Sequence, residues 1–214
     1  MPDRVDDDEG LNNRVGVGVF VAADGLIVAQ VARGSEFAAK PDSYPLSAKF
    51  DDGSQVNLKV VEDAKNGWLA LKPDKEMRVN YFFPIASTPT AVSDEVYQWG
   101  IARKGLRRKF DVSVNRILLV DRNVSNVEVP VMQLWEPDEP IALLEGLPVL
   151  SADGELLAIM MPNSEDLVLA LPASRLKTMF PKSFSTASEP PAGPPVEGEK
   201  PAAAPVGEEK PAEM

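Results

Sequence analysis

A chain of 214 residues with 44% hydrophobic content can bury one large core or two small ones, and its formal charge of -11 disfavours nucleic acid and anionic membranes as partners. Cysteine and histidine are both absent, which removes disulfides, thiolate metal sites, cysteine nucleophiles and every mechanism that uses imidazole as general base or zinc ligand. No stretch approaches the roughly 20 apolar residues of a membrane-spanning helix, so the expectation is a soluble chain with no membrane insertion and no cofactor or metal.

The first residues, Met1 to Gly10, lack the basic-then-apolar layout of a signal peptide, and the compartment stays open. Residues 1–12 read as an acidic, flexible leader. Its run Asp6-Asp-Asp-Glu9 offers hard oxygen ligands but neither the alternating spacing nor the turn glycine of a calcium loop. From about residue 13 the pattern becomes short strands punctuated by turns. Val15 to Val21 alternates small and apolar residues, Ala23-Asp-Gly25 turns, and Leu26 to Ala32 returns. A second hairpin runs Leu46 to Phe50, turns at Asp51-Asp-Gly-Ser54 and comes back as Val56 to Val61, and Trp68 to Lys72 follows. Strands are then expected at Val96–Ile101, Phe110–Val120, Val129–Trp135, Pro148–Ser151, Glu155–Met160 and Leu167–Leu171. Pro172 to Phe180 is the one segment that reads as a helix, with an early proline and an apolar side formed by Leu176, Met179 and Phe180.

Residues 182–214 are rich in Pro, Ala and Glu, with a near-repeat of Val196-Glu-Gly-Glu-Lys-Pro-Ala at Val206-Gly-Glu-Glu-Lys-Pro-Ala. Such a composition cannot bury enough apolar surface to offset its ordering entropy, so a disordered tail is expected. It reads as a spacer or as a proline-rich docking segment.

Taken in order, these segments resemble the HtrA/Deg-like branch of the trypsin-like serine proteases. Gly16-Val-Gly-Val-Phe-Val-Ala-Ala-Asp-Gly-Leu-Ile-Val-Ala-Gln-Val31 is similar to that family's first hairpin, and Asn66-Gly-Trp-Leu-Ala-Leu-Lys72 to its aspartate-bearing strand. Val92 to Ile101 matches a strand of the second barrel. Leu143-Leu-Glu-Gly-Leu-Pro-Val-Leu-Ser-Ala-Asp-Gly-Glu-Leu-Leu-Ala-Ile159 matches the nucleophile segment, and Leu169-Ala-Leu-Pro172 the strand before the terminal helix.

The resemblance implies an all-β, trypsin-like double six-stranded β-barrel. Barrel one would run from about 13 to 88 and barrel two from about 91 to 171, followed by a helix at about 172–180 and the tail. It carries the general-base histidine to Gln30, the orienting aspartate to Gly67, the serine nucleophile to Glu145 and an oxyanion-hole glycine to Leu143. Gln30 accepts no hydroxyl proton, Gly67 offers no carboxylate, Glu145 carries a charge that opposes an oxyanion, and Leu143 has a Cβ where the backbone needs glycine. The expected function is therefore a non-catalytic protease homologue that binds a peptide or protein partner or acts as a scaffold. A hydrolase with reassigned catalytic residues is the alternative. The family also implies trimers and a peptide-binding domain after the barrels, where this chain has its tail.

Other constellations are thinner. Ser113 and Ser151 invite a serine–lysine dyad, although Ser151 borders an Ala-Asp-Gly turn where serine is ordinary. Glu145 with Asp138 or Glu139 would make a carboxylate pair. Arg103, Lys104, Arg107, Arg108 and Lys109 form the one dense basic patch, either a docking site for an acidic partner or phosphate, or a solvated hairpin. Trp68, Trp99 and Trp135, with Met132, Met160 and Met161, are expected in the core.

Overall fold

The computed structural model describes residues 15–31, 34–50, 53–64, 67–104, 107–124, 130–135, 146–161 and 167–185, and the side chains of 100–111 lie outside that description. The first hairpin forms because Gly25 (φ 81°) supplies the left-handed turn residue and Asp24 Oδ1 accepts the Leu26 amide at 3.2 Å. It joins β1 (Gly16–Phe20) to β2 (Ile27–Val31). After a one-and-a-half-turn helix α1 (Gly34–Ala39) come β3 (Leu46–Lys49), β4 (Gln55–Asp63) and β5 (Trp68–Pro73). They pair antiparallel in the order β1-β2-β5-β4-β3.

The two central strands are buried almost throughout because each of their faces meets a different core. Ile27, Ala29, Val31, Leu69 and Leu71 pack inward with Leu46, Leu58 and Val60. Val28, Trp68 and Ala70 face the other way, into a cluster shared with Leu150, Leu156, Ile159, Leu171 and Phe180 of the second half. β4 alternates half-buried and exposed residues instead, as a strand with one wet face does. Phe20 stacks on Phe50 with centroids 6.0 Å apart, so the sheet curls until its two outer strands approach.

The second half contains β6 (Glu95–Lys104), β7 (Arg107–Arg122), β8 (Val131–Leu134), β9 (Pro148–Leu150), β10 (Leu156–Met160) and β11 (Leu169–Pro172). They close a six-stranded barrel, β10-β11-β8-β7-β6-β9. Leaving out β6, the order β7-β8-β11-β10-β9 repeats the connectivity of β1-β2-β5-β4-β3. The interior holds Val96, Ile117, Met132, Leu134, Val149, Ala158 and Ala170. It also holds a polar chain: Asn115 Nδ2 donates to Gln98 Oε1 at 2.9 Å and to the Trp135 carbonyl, and Gln98 Nε2 donates to Met160 Sδ at 3.4 Å.

The link between the halves is fastened to both. Val79 N donates to Ala23 O (3.1 Å) and Phe83 N to Phe20 O (2.9 Å), while Leu156 N donates to Pro84 O (2.7 Å) and Ala86 N to Leu156 O (3.0 Å). Among the described residues no helix is long and apolar enough to cross a membrane.

All eleven expected strands occur within a few residues of their expected bounds, and five expectations need correction. The first sheet has five strands among the described residues, not six. Helix α1 was not expected; its Gly-Ser-Glu start and its alanines favour a turn of helix, and Phe37 packs it under the sheet. The terminal helix is broken into a 3-10 turn (Ala173–Arg175), α2 (Leu176–Met179) and α3 (Pro181–Ser185). Proline at 181 ends one helix and starts the next. Lys182–Ser185 thus belong to the folded part rather than to the tail, because Ser183 is fully buried and both its amide and its hydroxyl donate to Glu62 Oε2 at 2.9 Å. Finally, Trp68 is core but Trp135 is 54% exposed, since it sits just past the end of β8 at the barrel rim. Residues 1–14 and 186–214 lie outside the described residues.

Candidate functional site

Gln30 stands at the crossing of three strands. The β1–β2 register places Val17 opposite it, and the β2–β5 register places Trp68 opposite it on the other side. Residues two apart on a strand share a face, so Gln30 lies with Val28 on the face turned toward the second half. The Gln30 side chain is half-buried, and its Oε1 is enclosed with no hydrogen-bond partner among the described residues. A neutral carboxamide left in that state costs about 1–3 kcal/mol.

Gly67 immediately precedes Trp68, which brings it beside Gln30. Its carbonyl accepts the Val31 amide at 2.7 Å, continuing the β2–β5 ladder by one bond. The backbone there is left-handed (φ 82°), and a Cβ on Gly67 would stand 2.7 Å from the Val31 carbonyl oxygen. Gly34 closes over the same spot, its own Cβ position falling 3.0 Å from the Gly67 carbonyl oxygen. This corner accommodates no side chain without moving main chain.

Leu143 and Glu145 lie outside the described residues, as do Asp138 and Glu139. The residue that follows Glu145 is described. Gly146 (φ 81°) is held by its amide to Met160 O at 2.8 Å, and a Cβ there would come within 2.5 Å of Val17 O and 2.9 Å of Val17 Cβ. Val17 is the cross-strand partner of Gln30. Gly146 therefore meets β1 at the residue directly across from Gln30. Gln30 and Gly67 are together, with Gly146 one strand away.

Next to this junction the two halves enclose a cleft of about 210 Å³ lined by Gly18, Val19, Phe20, Tyr81, Phe83, Trp99, Leu147 and Pro148. Phe83 and Trp99 meet edge to face, 6.3 Å between centroids and 79° between planes. Tyr81 is 91% exposed at the cleft. β1 has β2 as its strand neighbour, and its far edge is engaged at Phe20, whose carbonyl takes the Phe83 amide. Peptide groups two residues apart point the same way, so Gly18 and Gly16 turn their amides and carbonyls to that outer edge, and both residues are exposed.

The other candidates fall apart or lie elsewhere. Ser151 Oγ accepts the amides of Asp153 (3.2 Å) and Glu155 (3.1 Å), which is turn chemistry. Ser113 Oγ is enclosed without a hydrogen-bond partner among the described residues. The basic patch occupies the end of the β6–β7 ribbon, and the register sets Arg103 opposite Arg108 and Lys104 opposite Arg107, two like-charged pairs in succession. No cluster of three metal-ligating side chains occurs among the described residues. The aromatic wall escaped the sequence reading. Its one available signal was the run Tyr81-Phe-Phe83 in a connecting segment, and only the fold brings Trp99 to it. No protein-family model matches the chain, and no curated protein does.

Proposed function

We propose that this chain is a trypsin-like double barrel that binds an extended peptide or protein segment in its inter-barrel cleft and does not cleave it. The observation that carries this reading is that Gln30, Gly67 and Gly146 gather around β1 and β2, beside a cleft lined by Gly18 and Leu147, in a chain with no histidine. The repeated strand order of the two halves supports the double-barrel assignment. The outward edge at Gly16 and Gly18 supports binding by strand addition, in which backbone groups give affinity and flanking pockets give selectivity.

At the base position Gln30 has no nitrogen that takes a proton near neutral pH. At the orienting position the backbone excludes any side chain. Neither deficit is repaired by a bound substrate, because substrate supplies neither an imidazole nor room at residue 67.

The test is incubation of the purified chain with a labelled unstructured protein, followed by size analysis and a binding measurement. The substrate is expected to stay intact and to bind, with Glu145→Ala changing nothing in the cleavage assay. Reproducible cleavage lost in Glu145→Ala would establish instead a hydrolase with reassigned residues. Absence of binding would remove the peptide-binding reading.

A further inference from the structure

The two halves share a strand order, and one strand of the second half has no counterpart in the first. There β6 lies between β7 and β9, pairs antiparallel with both and closes the barrel. By the shared connectivity β7 corresponds to β1 and β9 to β3. Among the described residues β1 has β2 as its strand neighbour, β3 has β4, and no strand joins β1 to β3. The two open edges are brought side by side, since Phe20 at the end of β1 stacks on Phe50 just past β3. Successive antiparallel pairings give β1, β5 and β3 one direction. A strand set between β1 and β3 is therefore antiparallel to both, as β6 is to its neighbours.

Both edges turn backbone groups outward. Gly16 and Gly18 do so on β1. On β3 the amide of Phe50 donates inward to the Ser54 carbonyl at 2.9 Å, so Ser47 and Lys49, out of step with it, face the open edge. Burial shows what closure contributes. In the closed barrel the inward residues Val149 of β9 and Ala158 and Met160 of β10 are at most 3% exposed. Their counterparts Leu46 and Ala48 on β3 and Val56, Leu58 and Val60 on β4 are only half-buried, although Phe37 of α1 packs on the same cluster. A half-wet apolar face beside two unpaired edges is a template for one more strand.

That strand needs an apolar residue at every second position, to face the cluster. The chain's own ends lack the pattern. Residues 1–14 carry four consecutive acids, Asp6 to Glu9, and the tail is rich in proline, which has no amide to donate.

We propose that the first sheet is closed in trans by an extended segment of a partner protein, apolar at every second residue, which pairs antiparallel with β1 at Gly16 and Gly18 and with β3 at Ser47 and Lys49. This deepens the strand-addition reading, on which it rests for the β1 edge, and adds β3 as the second edge. A segment held on both sides gains two ladders and buries the half-wet residues, whereas one lying along β1 alone gains a single ladder.

The probe is a synthetic peptide alternating valine and threonine, with a lysine at each end, and its control has the same residues in two blocks. Added to the full chain, the alternating peptide is expected to slow amide exchange at Gly16, Gly18, Ser47 and Lys49 together by about tenfold or more. The block peptide should protect none of them. A nitroxide on the N-terminus of the alternating peptide should broaden Phe20 and Phe50 rather than Gly16 and Leu46. Two further versions, N-methylated on the valines or on the threonines, each lose the donors toward one edge, and both should bind about tenfold or more weakly.

Equal protection by the block peptide overturns the proposal, as does broadening at Gly16 and Leu46 instead. Protection of all four amides in the chain alone also overturns it. If independent of protein concentration, that protection assigns the place to this chain's own residues; if it rises with concentration, to a second copy. Weakening by only one N-methylated version, with Ser47 and Lys49 unprotected, confines the peptide to β1, so closure falls and strand addition stands. Capture of the labelled unstructured protein with none of the four amides protected by the alternating peptide likewise removes closure alone. Protection of all four without that capture leaves closure in place and removes the cleft reading.

Discussion

Gly67 shows how a single main-chain angle decides what chemistry a position can host. At φ 82° an L residue costs about 1–2 kcal/mol, and its Cβ would also press on the Val31 carbonyl oxygen at 2.7 Å, which is main chain and cannot swing away. Gly67→Ala is expected to lower stability by about 2 kcal/mol or more, a fall in Tm of roughly 4–8 °C for a chain of this size. Gly53 has nearly the same angle (φ 81°) with nothing within 4 Å of its Cβ position, so Gly53→Ala should cost only the dihedral part, about 1–2 kcal/mol. Equal losses in thermal unfolding of the two variants would show that the Val31 contact is of no account. Tyr97 offers a pH-dependent test. Its hydroxyl donates to Glu95 Oε1 at 3.0 Å, and that bond, then the carboxylate's charge, hold its pKa above the usual tyrosine value. The folded state keeps this proton more tightly than the unfolded state. The associated stability is therefore complete below the unfolded pKa of about 10 and is lost as pH rises through the folded value. Phenolate absorbance, isolated by subtracting Tyr97→Phe, should titrate at lower pH once Glu95→Gln removes the carboxylate; an unchanged midpoint would reject the assigned cause.

Among elements, α3 has only five residues and would not persist alone. Its anchor is Glu62, placed where the β4–β5 register shifts between Val60 and Glu62, so that the carboxylate reaches Ser183. Glu62→Ala removes both 2.9 Å bonds to a fully buried serine and is expected to cost about 2 kcal/mol. Hydrogen exchange should accelerate in α3 well before β4 or β5. Uniform protection across the variant would place the anchor elsewhere. The strands themselves were legible because two signals are local: alternation of period two, and Asp-Gly turns such as Asp24-Gly25 and Asp153-Gly154, whose glycines adopt φ 81° and 79°. The helices were less legible. α1 and α3 are too short for a 3.6-residue period to show, and both are held by distant partners, Phe37 under the first sheet and Ser183 on Glu62.

For the molecule as a whole, the junction of the halves decides what chemistry can be installed there. Installing histidine, aspartate and serine at Gln30, Gly67 and Glu145 together would supply the residue types of a serine protease. The aspartate would still have to enter a corner closed by the Val31 carbonyl and Gly34. The triple variant is expected to be less stable than the native chain by about 2 kcal/mol or more and to show no proteolysis. Cleavage of an unstructured substrate by it, with unfolding unchanged, would contradict the account of residue 67.

What the amino-acid order determined unaided is whatever depends on neighbours in sequence or on mere presence. Strand positions, Asp-Gly turns and the exclusion of imidazole and thiol chemistry are of this kind, the last holding in any fold because the residues do not exist. Tertiary structure alone decided which residues meet across the chain. It set Val17 and Trp68 on either side of Gln30, turned Trp135 outward, and gathered Phe20, Tyr81, Phe83 and Trp99 into one wall. A side chain's burial and company are set by elements dozens of residues away, and no local pattern encodes which face of which strand will turn toward them.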